Sequence, residues 1–122
     1  MEQYITLSRL RLHACHGVDP QERRVGADFT LDLRLKTDFS RAMTTDDVRD
    51  TLDYGAVYRA VCDEMSRPSC LLEHAAGRIL RRLFADFPCI ESIALCLVKD
   101  NPPMGADTLG AGVSITASRG EL

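Results

Sequence analysis

Between Phe29 and Lys36 the chain reads Phe-Thr-Leu-Asp-Leu-Arg-Leu-Lys, with apolar and polar residues alternating without a break. Successive side chains of an extended strand leave on opposite sides, so this segment predicts a strand with one wholly apolar face and one polar face. A single strand cannot bury such a face, and the rest of the chain must supply neighbours and a cover. Tyr4 to His16 reads as a second strand in which Ile5 and Leu7 alternate with polar residues, then Leu10, Leu12 and Ala14 alternate in the opposite parity. That slip of phase predicts a bulge near Ser8-Arg9. Ile93, Leu95 and Leu97 mark a third strand, ended by Asn101-Pro102-Pro103 because proline lacks the amide donor of a central strand. Val113, Ile115 and Ala117 mark a fourth.

Helices supply the cover. Asp53 is placed to cap a helix from about Tyr54 to Met65 whose apolar stripe is Val57, Val61 and Met65. Ser69 can cap a second, with Leu72, Ala76, Ile79, Leu80, Leu83 and Phe84 at helical spacing up to Pro88. Gly17, Asp19, Pro20 and Gly26 read as a connection, Ser40–Thr51 as a polar surface segment, and Gly105–Gly112 as a loop. The order is ββααββ without internal repeat, which predicts one domain over residues 1–122. Its class is α+β, an antiparallel sheet with two helices on one face. The other face and two sheet edges stay open, and closing several copies into a barrel would cover all of them. The alternative is a face that is simply polar and wet.

A formal charge of −3 gives no reason to expect a polyanionic partner, which argues against nucleic acid. Five cysteines form an odd count with no C-x-x-C pair, as suits a reducing compartment better than a disulfide framework. No apolar run approaches the ~20 residues of a membrane span, and no basic start leads into an apolar stretch. No membrane partner is expected, and the expected location is cytoplasmic.

Four polar clusters fall at element junctions, where rigid scaffolds present functional groups. His13-Ala14-Cys15-His16-Gly17 with Glu22 holds zinc-type ligands, but on a strand His13 and His16 face opposite sides, and no second ligand pair follows at zinc-site spacing. Asp50-Thr51-Leu52-Asp53-Tyr54 opens the first helix, and by itself reads as a cap and a packed tyrosine. Glu73 sits in the first turn of the second helix, where any carboxylate is favoured by the helix dipole. Lys99 ends an apolar strand just before the double proline, where partial desolvation suits a lysine to proton transfer. Most strand-end lysines simply reach water.

Taken in order and spacing, His16-Gly17-Val18 with Glu22 and Gly26, Asp50-Thr51-Leu52-Asp53-Tyr54, Leu71-Leu72-Glu73-His74 and Lys99-x-Asn101-Pro102-Pro103 resemble the dihydroneopterin aldolase family, from about Ile5 to Ser118. The resemblance implies the tunnelling fold, with subunits closing a barrel as a ring of four and rings commonly stacked as octamers. It implies a homo-oligomer, tetramer or octamer, with active sites between subunits, so that Tyr54 comes from the neighbour of the subunit supplying Glu22, Glu73 and Lys99. The implied reaction is retro-aldol cleavage of a small pterin, 7,8-dihydroneopterin, to 6-hydroxymethyl-7,8-dihydropterin and glycolaldehyde in folate biosynthesis, with C2′ epimerisation as a side activity. No cofactor and no metal are implied. By resemblance Lys99 is the general acid/base, Glu22 binds the side-chain hydroxyls, and Tyr54 stacks near the ring and helps deliver a proton. Glu73 reads the pterin, and the Leu72 and Leu52 backbones contact the remaining ring atoms.

Where the family commonly has proline after the lysine, this chain has Asp100. A carboxylate there would favour the ammonium form of Lys99 unless strand alternation turns it away. Two other readings compete. A dihydroneopterin triphosphate 2′-epimerase should carry basic residues near the side-chain end of the pocket and need not keep the His-Gly-Val and Lys-x-Asn-Pro-Pro pieces. A non-catalytic pterin-binding barrel subunit would not need Glu22, Tyr54 and Lys99 together.

Overall fold

The computed structural model describes residues 1–122. Four strands, β1 (Tyr4–Ala14), β2 (Ala27–Lys36), β3 (Ser92–Lys99) and β4 (Ala111–Ser118), form one sheet in the order β1-β2-β3-β4, with every neighbouring pair antiparallel. Five short or long helical segments fill the connections. They are α1 (Pro20–Val25), α2 (Ala42–Thr45), a 3-10 turn at Val48–Asp50, α3 (Tyr54–Met65) and α4 (Leu72–Asp86). No helix is long and apolar enough to cross a membrane.

The apolar parity of β2 sets the core. Phe29, Leu31, Leu33 and Leu35 are buried together with Ile93, Leu95 and Leu97 of β3, beneath Val57, Val61 and Met65 of α3 and Ala76, Ile79, Leu80 and Leu83 of α4. The edge strands add half-buried Ile5, Leu7, Leu10, Leu12, Val113 and Ile115. The phase slip in β1 is a bulge, since Leu7 pairs with Leu33 and Leu10 with Leu31, three steps on one strand against two on the other. Arg9 takes the left-handed conformation there (φ 51°), and its amide donates to Asp32 Oδ1 at 2.8 Å. The extra residue returns Leu10, Leu12 and Ala14 to the same side as Leu7.

The opposite sheet face is polar. The cross-strand pairs Arg11–Thr30, His13–Asp28 and Tyr4–Lys36 lie on it, and the Arg34 guanidinium sits 3.6 Å from the centre of the Tyr4 ring. This face is charged on β1 and β2, while on β3 and β4 it carries the uncharged Ala94, Cys96, Val98, Ser114 and Thr116.

Three connections differ from the sequence expectation, one of them Ser40–Thr51, which holds α2 and the 3-10 turn. The stretch after Gly17 holds α1, capped by the Asp19 carboxylate accepting from the Gln21 amide, with Pro20 in the first turn and Gly26 at φ 82° ending it. Ser69 does not cap the second long helix. α4 starts at Leu72 behind Leu71, with no side-chain cap, and Ser69 is instead buried and bonded to other elements. Asp53 does cap α3, accepting from the Gly55 and Ala56 amides.

Candidate active site

Lys99 continues the core-facing parity of Ile93, Leu95 and Leu97, so the last residue of β3 carries its amine into the end of the core instead of into water. Only 8% of the residue is exposed, and its Nζ donates to Glu22 Oε2 at 2.5 Å. Glu22 reaches it from the first turn of α1. A Cβ on Gly17 would lie 2.5 Å from the Glu22 Cβ and 2.7 Å from its carboxylate carbon, so only glycine lets that side chain fold over the backbone. The result is a charge-assisted hydrogen bond whose two partners come from elements far apart in sequence.

The pair stands in a cleft of about 380 Å³, within the size range of small-molecule sites. Gly17, Val18 and Glu22 form one wall and Cys70, Leu71, Leu72 and Glu73 a second. Pro102, Pro103 and Met104, with Ala111–Val113 at the start of β4, complete the lining. Glu73 lies in the first turn of α4. Gly112 allows β4 its approach to β3, because a Cβ there would sit 2.0 Å from the Leu97 carbonyl oxygen.

Of the residues predicted for the site, Glu22, Leu72, Glu73 and Lys99 meet in this cleft, whereas Leu52 and Tyr54 do not line it. Leu52 is buried and Tyr54 is 64% exposed at the start of α3. Asp100 turns away. Its carboxylate accepts from Thr30 Oγ1 at 3.1 Å and from Arg11 Nη2 at 3.3 Å, on the polar side of the sheet. Cys70 and Met104 had no sequence signal beyond lying close to Glu73 and the double proline.

The two histidines of the first cluster separate, His13 within β1 and His16 beyond its end at Ala14 rather than on the strand as the sequence suggested. His13 is exposed, its Nδ1 lies 3.1 Å from Asp28 Oδ1, and that bond raises its pKa. His16 is wholly buried, edge-on to the Phe29 ring, and its Nδ1 accepts from the Ser69 amide at 3.0 Å. Burial first, then the charges of Arg78 and Lys99, lower its pKa to about 4. Its Nε2 has no partner.

A four-stranded antiparallel sheet with two long helices on one face and a lysine–carboxylate pair at the sheet end defines a subunit of the tunnelling-fold class. Solved structures agree: a Vibrio cholerae structure described as a FolB dihydroneopterin aldolase superposes with a TM-score of 0.89 at 26% identity, covering 98% of this chain and 99% of that one. The Escherichia coli dihydroneopterin aldolase in complex with neopterin has a TM-score of 0.87 at 22% identity, covering 95% and 99%. An Arthrobacter globiformis uricase shares the fold at 13% identity and a TM-score of 0.63, with 93% of this chain covering 47% of that one. In sequence, the family model described as FolB, dihydroneopterin aldolase, matches residues 5–116. Curated dihydroneopterin aldolases from Staphylococcus epidermidis and Streptococcus pyogenes are 36% and 33% identical over 116 residues, which is 94% of this chain and 96% and 98% of theirs. The chain belongs to the dihydroneopterin aldolase family, the carbon–carbon lyases that release glycolaldehyde from 7,8-dihydroneopterin in folate biosynthesis.

Proposed function

We propose that Lys99, Glu22 and Glu73 carry this aldolase reaction, and the observation behind the reading is the Lys99–Glu22 hydrogen bond at 2.5 Å in the cleft that Glu73 also lines. Retro-aldol cleavage leaves an electron pair on C1′, which other aldolases stabilise with a lysine Schiff base or a metal. In dihydroneopterin the C6=N5 imine is conjugated with C1′ and accepts that pair itself. The protein then needs to move protons. The C2′ hydroxyl loses its proton, the C1′–C2′ bond breaks, glycolaldehyde leaves, and N5 is protonated as electrons enter the ring. Protonation at C1′ with loss of the N5 proton gives 6-hydroxymethyl-7,8-dihydropterin.

Lys99 exchanges these protons through a water, and Glu22 receives the side-chain hydroxyls while holding the ammonium in place. Glu73 accepts from the 2-amino group and N3–H with its two carboxylate oxygens. A ring lacking that donor pair would leave the carboxylate unpaired, which is the basis of selection. The first-turn amides of α4 are not taken by a side-chain cap, and Leu72 can present its backbone to the ring acceptors.

Tyr54 and Leu52 belong in this reading to the cleft of a second copy. The exposure of Tyr54 supports it, as do the unpaired outer sides of β1 and β4. The working form is then a homo-oligomer, tetramer or octamer, with each site completed by a neighbour. Five free cysteines suit a cytoplasmic location.

The test is to mix purified protein with 7,8-dihydroneopterin or its triphosphate, with and without chelator, following cleavage and epimerisation separately. Glycolaldehyde from the unphosphorylated substrate is the expected product. Lys99→Ala should keep pterin binding and lose about 100-fold or more of turnover, the usual share of general acid–base catalysis. An unaltered rate would remove Lys99 from the mechanism.

A further inference from the structure

His16 takes no part in the chemistry above, yet its surroundings tie the two sides of the cleft together. The wall of Gly17, Val18 and Glu22 follows directly on β1, and the wall of Cys70 to Glu73 follows directly on Ser69. Two hydrogen bonds join them: the Ser69 amide donates to His16 Nδ1 at 3.0 Å, and the Gly17 amide donates to the Ser69 carbonyl at 2.9 Å. Ser69 is fixed from its other side as well. Arg78 Nη2 donates to its hydroxyl at 2.8 Å, and His74 Nδ1 lies 2.9 Å from the same oxygen. The neighbouring Arg78 nitrogen, Nη1, holds the Glu64 carbonyl.

A residue that only filled this space would be apolar. His16 is wholly buried, and with Nδ1 accepting, the ring proton sits on Nε2, which has no partner. A buried donor left unpaired is destabilising, so the imidazole is an expensive filler whose gain is the acceptor at Nδ1.

We propose that His16 is a positioning residue of the aldolase, setting the distance between Glu73, which reads the pterin ring, and the Lys99–Glu22 pair, which handles the side chain. The inference rests on the roles given to those residues above. The substrate's bicyclic ring is rigid, so a shift of one wall moves C2′ relative to the amine, and a misplacement of about 1 Å can cost on the order of 100-fold in rate. Ring binding rests on Glu73 and Leu72 of one wall with Leu52 and Tyr54 from a second copy, none of them on the wall of Glu22, and should be indifferent to the shift.

The comparison uses His16→Leu, which fills the site without an acceptor, and His16→Asn, whose Oδ1 can occupy the place of Nδ1. Unsubstituted pterin, a ring without a side chain, probes binding, and glycolaldehyde release from 7,8-dihydroneopterin gives kcat. His16→Leu should bind pterin within about twofold of wild type and lose about tenfold or more in kcat, with His16→Asn recovering most of it. Should His16→Leu fail to fold, His16→Gln, which keeps the side-chain volume but moves the amide toward the Nε2 position, carries the same comparison. Wild-type kcat without an acceptor at Nδ1, or parallel loss of ring binding and turnover with no recovery by His16→Asn, overturns the positioning role. Wild-type protein that releases no glycolaldehyde overturns the catalytic reading itself, and the positioning role with it.

Discussion

The side chains of Lys99 and Asp100 leave the sheet on opposite sides, the amine toward Glu22 and the carboxylate toward Thr30 and Arg11. Asp100→Asn should therefore leave kcat within about twofold of wild type, since a substitution whose contacts lie across the sheet from the reacting groups changes little there; a tenfold fall in the glycolaldehyde assay would contradict it. Sequence alone reached this orientation through strand alternation. It also reached Glu22, Leu72, Glu73 and Lys99, but through resemblance to a family; in isolation each was an ordinary cap, turn or strand-end residue. The roles of Ser69 and His16 were not legible. Ser69 has the residue type and position of a cap, but its hydroxyl turns to His74 and Arg78 further along α4, and its amide to His16, 53 residues away, whose approach no local pattern encodes.

At the scale of elements, the bulge in β1 decides which face half the strand presents. Deleting Arg9 should force Leu10, Leu12 and Ala14 toward the polar face or break their pairing with β2, because a one-residue slip reverses every side chain beyond it. The expected outcome is loss of the cooperative urea transition. Arg9→Gly, by contrast, suits the left-handed backbone at φ 51° and should shift stability by no more than about 1 kcal/mol. Strands and the two long helices were readable because each shows one period over many residues. α1 was missed because six residues are too few for a helical stripe, although Asp19-Pro20 is a legible start and Gly26 a legible stop. That omission placed Glu22 on a turn, when a capped helix holds it.

For the whole molecule, His16 links stability to pH. Its pKa is about 4 in the folded chain and near 6.5 when unfolded, so below pH 6.5 the unfolded chain binds the extra proton. Stability should fall as pH drops from 6.5 toward 4, by on the order of 3 kcal/mol at most, and chemical denaturation across that range should show a shallower slope for His16→Asn. Assembly has its own test. If Tyr54 and Lys99 of one site come from different copies, mixing inactive Tyr54→Ala with inactive Lys99→Ala subunits should restore part of the activity, as some sites then draw both native residues. Mixtures that stay inactive after exchange of subunits would place both residues in one copy. The charge on the far side of the sheet is set by the alternate residues of the strands that carry the site. Substitutions at every second position of such a strand can thus change the charge of the far face while the Lys99 amine one residue away keeps its surroundings, so the two surfaces of one strand are free to vary separately.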